Sequence, residues 1–291
     1  MTRGLGARSA VLKLAMAALA AATAAATGVS AQPTPPPLPD RPLPDADVPV
    51  ARPAQPLPSI LAILAHPDDE ITIAPVLARA AREGSEVTLV FATSGDAGPG
   101  VSGMEPGEKL AALREYEARC SAFALGVGEP IFWQLGDGQL STMARAPDSP
   151  ARDLAERIAS IIAIQQPGVI MTWGPDGGYG HADHRMVSNA VTQVVQAMGH
   201  DRPDLLYAAL PSGEETTIPG FENWATVDPS LVTDRLRYEM ADLDAARAAI
   251  DCHASQFPES ARTMLPYLLH RNIWRGSVFF RLALPRFELA H

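Results

Sequence analysis

The chain has 291 residues, 47% of them hydrophobic and 19% charged, with a net charge of −10. That apolar fraction supports a sizeable core and excludes wholesale disorder, while the negative balance works against a phosphate backbone, so nucleic acid is not expected as a partner. At the start of the chain, Arg3, Arg8 and Lys13 precede an alanine-rich apolar run, Leu14 to Thr27, and Val29-Ser30-Ala31 supplies the small residues of a cleavage site. This is the pattern of a secretory signal peptide over residues 1–31, the alternative being an uncleaved membrane anchor. The run is short and alanine only weakly apolar, so no stable membrane insertion is expected once the signal is cut. Cleavage removes three basic residues and no acid, which takes the charge from −10 to −13. An exported protein, periplasmic or extracellular, is the expectation.

Residues 32–58 are proline-rich and lack apolar periodicity, as in an extended linker. A single domain is expected over 59–291. Its elements, in chain order, are a strand at 60–65, a helix at about 71–82 closed by Gly84, a strand at 87–92 and a helix at 109–125 closed by Gly126 and Gly128. A short strand at 130–133, a helix at 152–164, a strand at 168–173, a helix at 184–198 and a strand at 205–210 follow. Residues 211–234 are less regular. Helices at 243–255 and 261–270 and a strand at 278–284 complete the chain. Strands alternating with helices predict an α/β fold with a Rossmann-like, mostly parallel sheet and helices on both faces. No GxGxxG follows the first strand and no phosphate-loop lysine accompanies the glycines of 174–180, so a nucleotide cofactor is not expected. Cys120 and Cys252, the only cysteines, form either the one disulfide of an exported protein or two plain buried residues. No CxxC pair offers a thiolate metal site.

The strand at 60–65 ends in Ala65-His66-Pro67-Asp68-Asp69-Glu70, and the strand at 168–173 leads to His181-Ala182-Asp183-His184. In an open α/β sheet the carboxyl ends of strands are where ligands bind, and buried carboxylates and imidazoles are seldom left without a partner or a metal. Two such clusters at two strand tips point to one divalent metal site. His66, Asp69 and His184 would give two imidazoles and one carboxylate, a set that suits zinc and also ferrous iron or manganese. Adjacent residues in extended chain point opposite ways, so Asp68 and Asp69 are not expected to share a task. One would bind metal while the other faces water as a general base. Taken singly, each cluster also has a plainer explanation: acids starting a helix, or two polar residues one helical turn apart.

Together, these segments resemble the PIG-L/LmbE family of metal-dependent de-N-acetylases. Thr93-Ser94-Gly95-Asp96-Ala97-Gly98, the helix from Arg114 to Val127, Asp137-Gly138 and His253-Ala254-Ser255-Gln256 are also similar to the family's pattern, so the likeness spans about 59–257. It departs at Ala182, where the family commonly has proline. The resemblance implies that His66, Asp69 and His184 hold the metal and that Asp68 is the base. It further implies that His181 stabilises the oxyanion or protonates the leaving amine, and that Asp183 orients His181. Weaker expectations concern the substrate. Arg114 either contacts it or pairs with Glu117 on the helix surface, and Asp96 either lines the pocket or caps a turn. His253 either reaches the site or is a packed polar residue. Trp173 and Tyr179 could stack on a sugar, although Trp173 ends a buried strand. The expected activity is removal of acetyl from an N-acetylated amino sugar in a small molecule or glycan. The alternatives are a non-catalytic sugar-binding protein and a metal amidase for non-sugar amides. Nothing in the sequence sets an oligomeric state.

Overall fold

The computed structural model describes residues 57–213 and 223–286. The signal peptide and nearly all of the proline-rich stretch lie outside the described residues. Among those described, no helix is long and apolar enough to cross a membrane.

Five parallel strands form the body of one sheet: β1 (Ile60–Leu64), β2 (Val87–Phe91), β3 (Ile131–Phe132), β4 (Val169–Thr172) and β5 (Asp204–Ala208). Two more, β6 (Asp234–Arg237) and β7 (Ser277–Leu282), extend it antiparallel, giving the order β3-β2-β1-β4-β5-β7-β6. β1 is central and buried along its whole length, which is why it reads as a continuous apolar run rather than an alternating one. Ile60, Ala62 and Leu64 enter one core layer, and Leu61, Ile63 and Ala65 enter the other. Helices α1 (Ala74–Arg82), α2 (Glu108–Leu125) and α5 (Met240–Cys252) supply Leu77, Ala118 and Ile250 to the first layer. Helices α3 (Pro150–Gln165) and α4 (Ala182–Gln196) supply Ile158 and Val191 to the second. Helix α6 (Glu259–Leu268) runs into a π-helical turn, Leu269–Trp274, before β7.

The chain winds outward from β1 through β2 to β3, then returns to lay β4 on the other side of β1. The strand order therefore reverses between β1 and β4. Their carboxyl ends are the place where doubly wound sheets hold ligands.

Three features differ from the sequence expectation. Residues 234–237 form a strand, between the irregular stretch expected over 211–234 and the helix expected from 243, where no element was expected. Asp-Arg-Leu-Arg carries no apolar run because β6 is an edge strand, half exposed along its length. Helix α5 begins at Met240 rather than at 243, because Glu239 and Asp242 form a reciprocal capping box whose Glu239 N–H donates to Asp242 at 2.7 Å. The helix expected from residue 71 is split into a 3-10 turn, Asp69–Thr72, and α1.

Cys120 on α2 and Cys252 at the end of α5 are disulfide-bonded, 132 positions apart in the chain. In the chain-entropy account, a cross-link closing a loop of that size contributes about 5 kcal/mol.

Candidate metal centre

His66 leaves the tip of β1, and His184 lies in the first turn of α4. Although 118 residues apart, His66 Nδ1 and His184 Nε2 stand 3.2 Å from each other. His184 Nε2 is also 3.1 Å from Asp69 Oδ1, and His66 Nδ1 is 3.9 Å from Asp69 Oδ2. All three side chains are buried.

What each group does with its other atom decides how the three can act. His184 Nδ1 lies 3.1 Å from the Gly177 carbonyl, which can only accept, so Nδ1 carries the proton and Nε2 the lone pair. His66 Nε2 faces carboxylates, Asp137 Oδ1 at 3.0 Å and Asp183 Oδ2 at 3.4 Å, which puts its proton there and leaves Nδ1 as the lone pair. Asp69 Oδ2 accepts from the backbone of Ala65 and His66 and from Trp173 Nε1, at 2.9, 3.0 and 3.0 Å. Its Oδ1 is left facing His184. Two ring nitrogens and a carboxylate oxygen facing one another within this distance need a proton or a metal ion between them, and a metal ion can serve all three at once. Ligands about 2.1 Å from a tetrahedral ion are about 3.4 Å apart, close to the 3.2 and 3.1 Å that separate His184 Nε2 from His66 Nδ1 and from Asp69 Oδ1; His181 also offers a ring nitrogen near those of His66 and His184. The donor set therefore fits a divalent metal.

The ionisation tendencies agree. Burial disfavours charge on His66, but the hydrogen bonds to Asp137 and Asp183 and the charge of Asp69 outweigh it and raise its pKa to about 10. The same negative surroundings favour a metal on Nδ1 in place of a proton. Burial also opposes charge on Asp69, yet His184, His66 and the Trp173 hydrogen bond hold its carboxyl well below the usual range.

Asp68 is treated differently from its neighbour. Its φ of 105° lies in the left-handed region, and its carboxylate turns toward Arg114 Nη2 at 3.4 Å. Burial and the charges of Asp69 and Glu70 raise its pKa to about 6, against the pull of Arg114 and His253. His181 is the N-cap of α4, and its Nδ1 accepts from the Asp183 N–H at 3.2 Å. Its proton is consequently on Nε2. Burial and the neighbouring His66 and His184 lower its pKa, which keeps the ring neutral. Its ring centroid is 4.7 Å from those of both His66 and His184.

The structure thus brings together His66, Asp68, Asp69, His181, Asp183 and His184. The contacts of four expected residues are particular. The Asp183 carboxylate meets His66 and the Gly138 N–H, the latter at 2.6 Å, so its direct hold on His181 is through its backbone. Arg114 is buried rather than a surface partner of Glu117. It clamps the carbonyls of Pro67, Gly95 and Gly98 at 2.6, 3.1 and 3.3 Å. Gly95 is required beneath it, because at φ +65° a Cβ would fall 2.3 Å from the guanidinium. Asp96 caps a turn by accepting from the Asp137 N–H at 3.0 Å. His253 is fully buried and bonds Glu70 at 2.6 Å, behind the site rather than at its mouth.

Sequence reasoning assigned no role to Asp137, Glu70 or Ser121. Asp137 follows the tip of β3, and the rule that strand tips carry function would have found it. Glu70 and Ser121 carry no such signal.

Residues 61–195 match the PIG-L family profile, described as GlcNAc-PI de-N-acetylase. A 1D-myo-inositol 2-acetamido-2-deoxy-alpha-D-glucopyranoside deacetylase from Rhodococcus jostii RHA1 is 32% identical over 240 residues, covering 68% of this chain and 81% of that protein. The chain belongs to the PIG-L family of de-N-acetylases. Among solved structures, the N,N'-diacetylchitobiose deacetylase of Pyrococcus horikoshii shares the fold at a TM-score of 0.55 and 20% identity, covering 77% of this chain and 83% of that one. The 4-carboxy-2-hydroxymuconate hydratase of Pseudomonas putida KT2440 shares it at 0.58 and 19%, covering 81% and 100%. A hydratase on this fold shows that architecture alone does not choose the reaction.

Proposed function

We propose that this protein is an exported, metal-dependent amide hydrolase that removes acetyl from an N-acetylated amino sugar carried on a small molecule or glycan. The observation that carries the proposal is the convergence of His66 Nδ1, Asp69 Oδ1 and His184 Nε2, each with its other polar atom tied off, beside the separately held carboxylate of Asp68. These three residues would hold the ion, with zinc as the first choice and ferrous iron or manganese as alternatives. A divalent ion held there would supply Lewis acidity and lower the pKa of water toward neutrality.

The protein's own groups do the rest. Asp68 takes the proton of the attacking water and returns it to the amide nitrogen, so that the products are acetate and a free amine. His181 Nε2–H donates to the oxygen that becomes negative when the carbonyl is attacked; one such donor contributes about 3 kcal/mol. Asp137 and Asp183 fix the His66 ring by holding its outer proton. The exposed ring of Tyr179 lies 5.9 Å from that of His181 and offers an apolar face to a sugar. Export is supported by residues 1–31 and by the Cys120–Cys252 bond, since disulfides persist in oxidising compartments.

The test is acetate release by the full chain from N-acetylglucosaminyl-inositol, N,N'-diacetylchitobiose and an N-acetyl amino acid, with and without a chelator. Release from the sugar conjugates, abolished by chelator and restored by zinc, is expected. Release from the amino acid alone, or from none of the three, defeats the reading.

A further inference from the structure

The disulfide lies beside a buried relay that ends on Asp68. Its two cysteines immediately precede Ser121 and His253 in the chain. Ser121 Oγ donates to Glu70 Oε1 at 2.6 Å, and His253 Nε2 meets the same oxygen at 2.6 Å. The other oxygen, Glu70 Oε2, accepts from the backbone N–H of Asp68 at 3.0 Å. Glu70, Ser121 and His253 are all fully buried. A second tie keeps the end of α5 on α2. Glu117 accepts from the Ser255 N–H at 2.7 Å and from its hydroxyl at 2.6 Å.

Asp68 needs such support. An aspartate in the left-handed region costs on the order of 1–3 kcal/mol and persists only where its surroundings impose it. Arg114 holds the preceding carbonyl and faces the carboxylate, and Glu70 holds the N–H. Ser121 on α2 and His253 just past α5 both reach the other oxygen of Glu70 and so orient its carboxylate. The two helices arrive from parts of the chain 132 residues apart, and the disulfide joins them one residue from each donor.

We propose that Cys120, Cys252, Ser121, His253 and Glu70 act together as positioning residues for Asp68, the disulfide keeping both donors on Glu70 so that the carboxylate of residue 68 stays aimed into the site. This rests on the assignment of Asp68 as the base. Loosening the relay lets Asp68 leave its strained conformation. Turnover then falls, while the metal ligands, tied through Trp173, Gly177 and Asp137, stay in place.

The experiment compares the full-length wild type with Cys120→Ala/Cys252→Ala and with Ser121→Ala. It measures kcat and KM on N-acetylglucosaminyl-inositol, zinc content, and hydrogen exchange at the Asp68 amide. Misplacing a reacting group costs turnover steeply, so the double variant is expected to lose about 10-fold in kcat. Ser121→Ala, which removes one hydrogen bond of the relay, is expected to lose about 3-fold. In both, KM stays within about twofold of wild type, zinc stays at the wild-type stoichiometry, and the Asp68 amide exchanges faster. Unchanged exchange at Asp68, faster exchange with unchanged kcat, or a loss carried by KM alone overturns the proposal and leaves the disulfide a structural staple. If the double variant does not fold, Ser121→Ala decides on the same readings. If the wild type releases no acetate, the proposed function fails, and exchange at Asp68 still decides whether the relay holds it.

Discussion

The site has two walls, one leaving β1 and the other leaving β4, and they are built in opposite ways. The first, residues 65–72, is held from behind by buried side chains of other elements: Arg114 and Ser121 from α2 and His253 from the end of α5. The second, residues 173–184, is shaped by its own backbone. Gly177, Gly178 and Gly180 all have positive φ, and Tyr179 at its crest is exposed. One wall carries the base and two of the three converging ligand atoms at fixed positions. The other carries the third, His184, together with His181 and the exposed ring of Tyr179. The reacting groups are thus divided between a wall braced by other elements and a wall shaped by its own turns.

The largest effect that would sharpen this contrast is on the first wall. Asp68→Asn keeps a residue that tolerates left-handed backbone but removes the charge, and a lost general base costs about 10²–10⁴-fold in turnover. Metal content measured on the same preparation is expected to match wild type. On the second wall, His181→Asn retains an oxygen to cap α4 and removes the imidazole donor. A fall in kcat of about 10²–10³-fold is expected with little change in melting temperature. Asp137→Asn releases the outer proton of His66, and a loss of about 10–100-fold in zinc affinity is expected by competition with a chelator. The smallest effect compares two glycines. Gly95 and Gly180 both have positive φ, at +65° and +87°. A Cβ at Gly95 meets the buried Arg114 guanidinium at 2.3 Å, whereas at Gly180 it meets the end of the exposed Arg185 side chain at 3.1 Å. Thermal unfolding of Gly95→Ala is expected to show the larger loss, beyond the roughly 1 kcal/mol of backbone strain that both share. Equal losses would erase the distinction between the walls.

Much of the site was legible in the sequence because it depends on strand tips. β1 and β4 are continuous apolar runs, and His66 and His184 follow them at short range. Their convergence then follows from the sheet order. The groups behind the site were not legible. Ser121 and His253 meet at Glu70 only because α2 and α5 pack side by side, and no local period reports that. His181 was expected to precede a helix starting at His184, but it caps a helix starting at Ala182, since its own ring supplies the acceptor. β6 stayed hidden because apolar content is the signal for strands and an edge strand needs little of it. Cys120 and Cys252 could be paired only once the helices that bear them were placed.

The ends of the sheet carry a consequence of their own. β3 pairs through only two residues, and β6, at the opposite margin, alternates charge with a single leucine. Neither margin presents the long, flat, apolar ladder on which a neighbouring molecule can add a strand. For a protein expected to work outside the cytoplasm, this makes self-association through the sheet unfavourable and resists fibre growth.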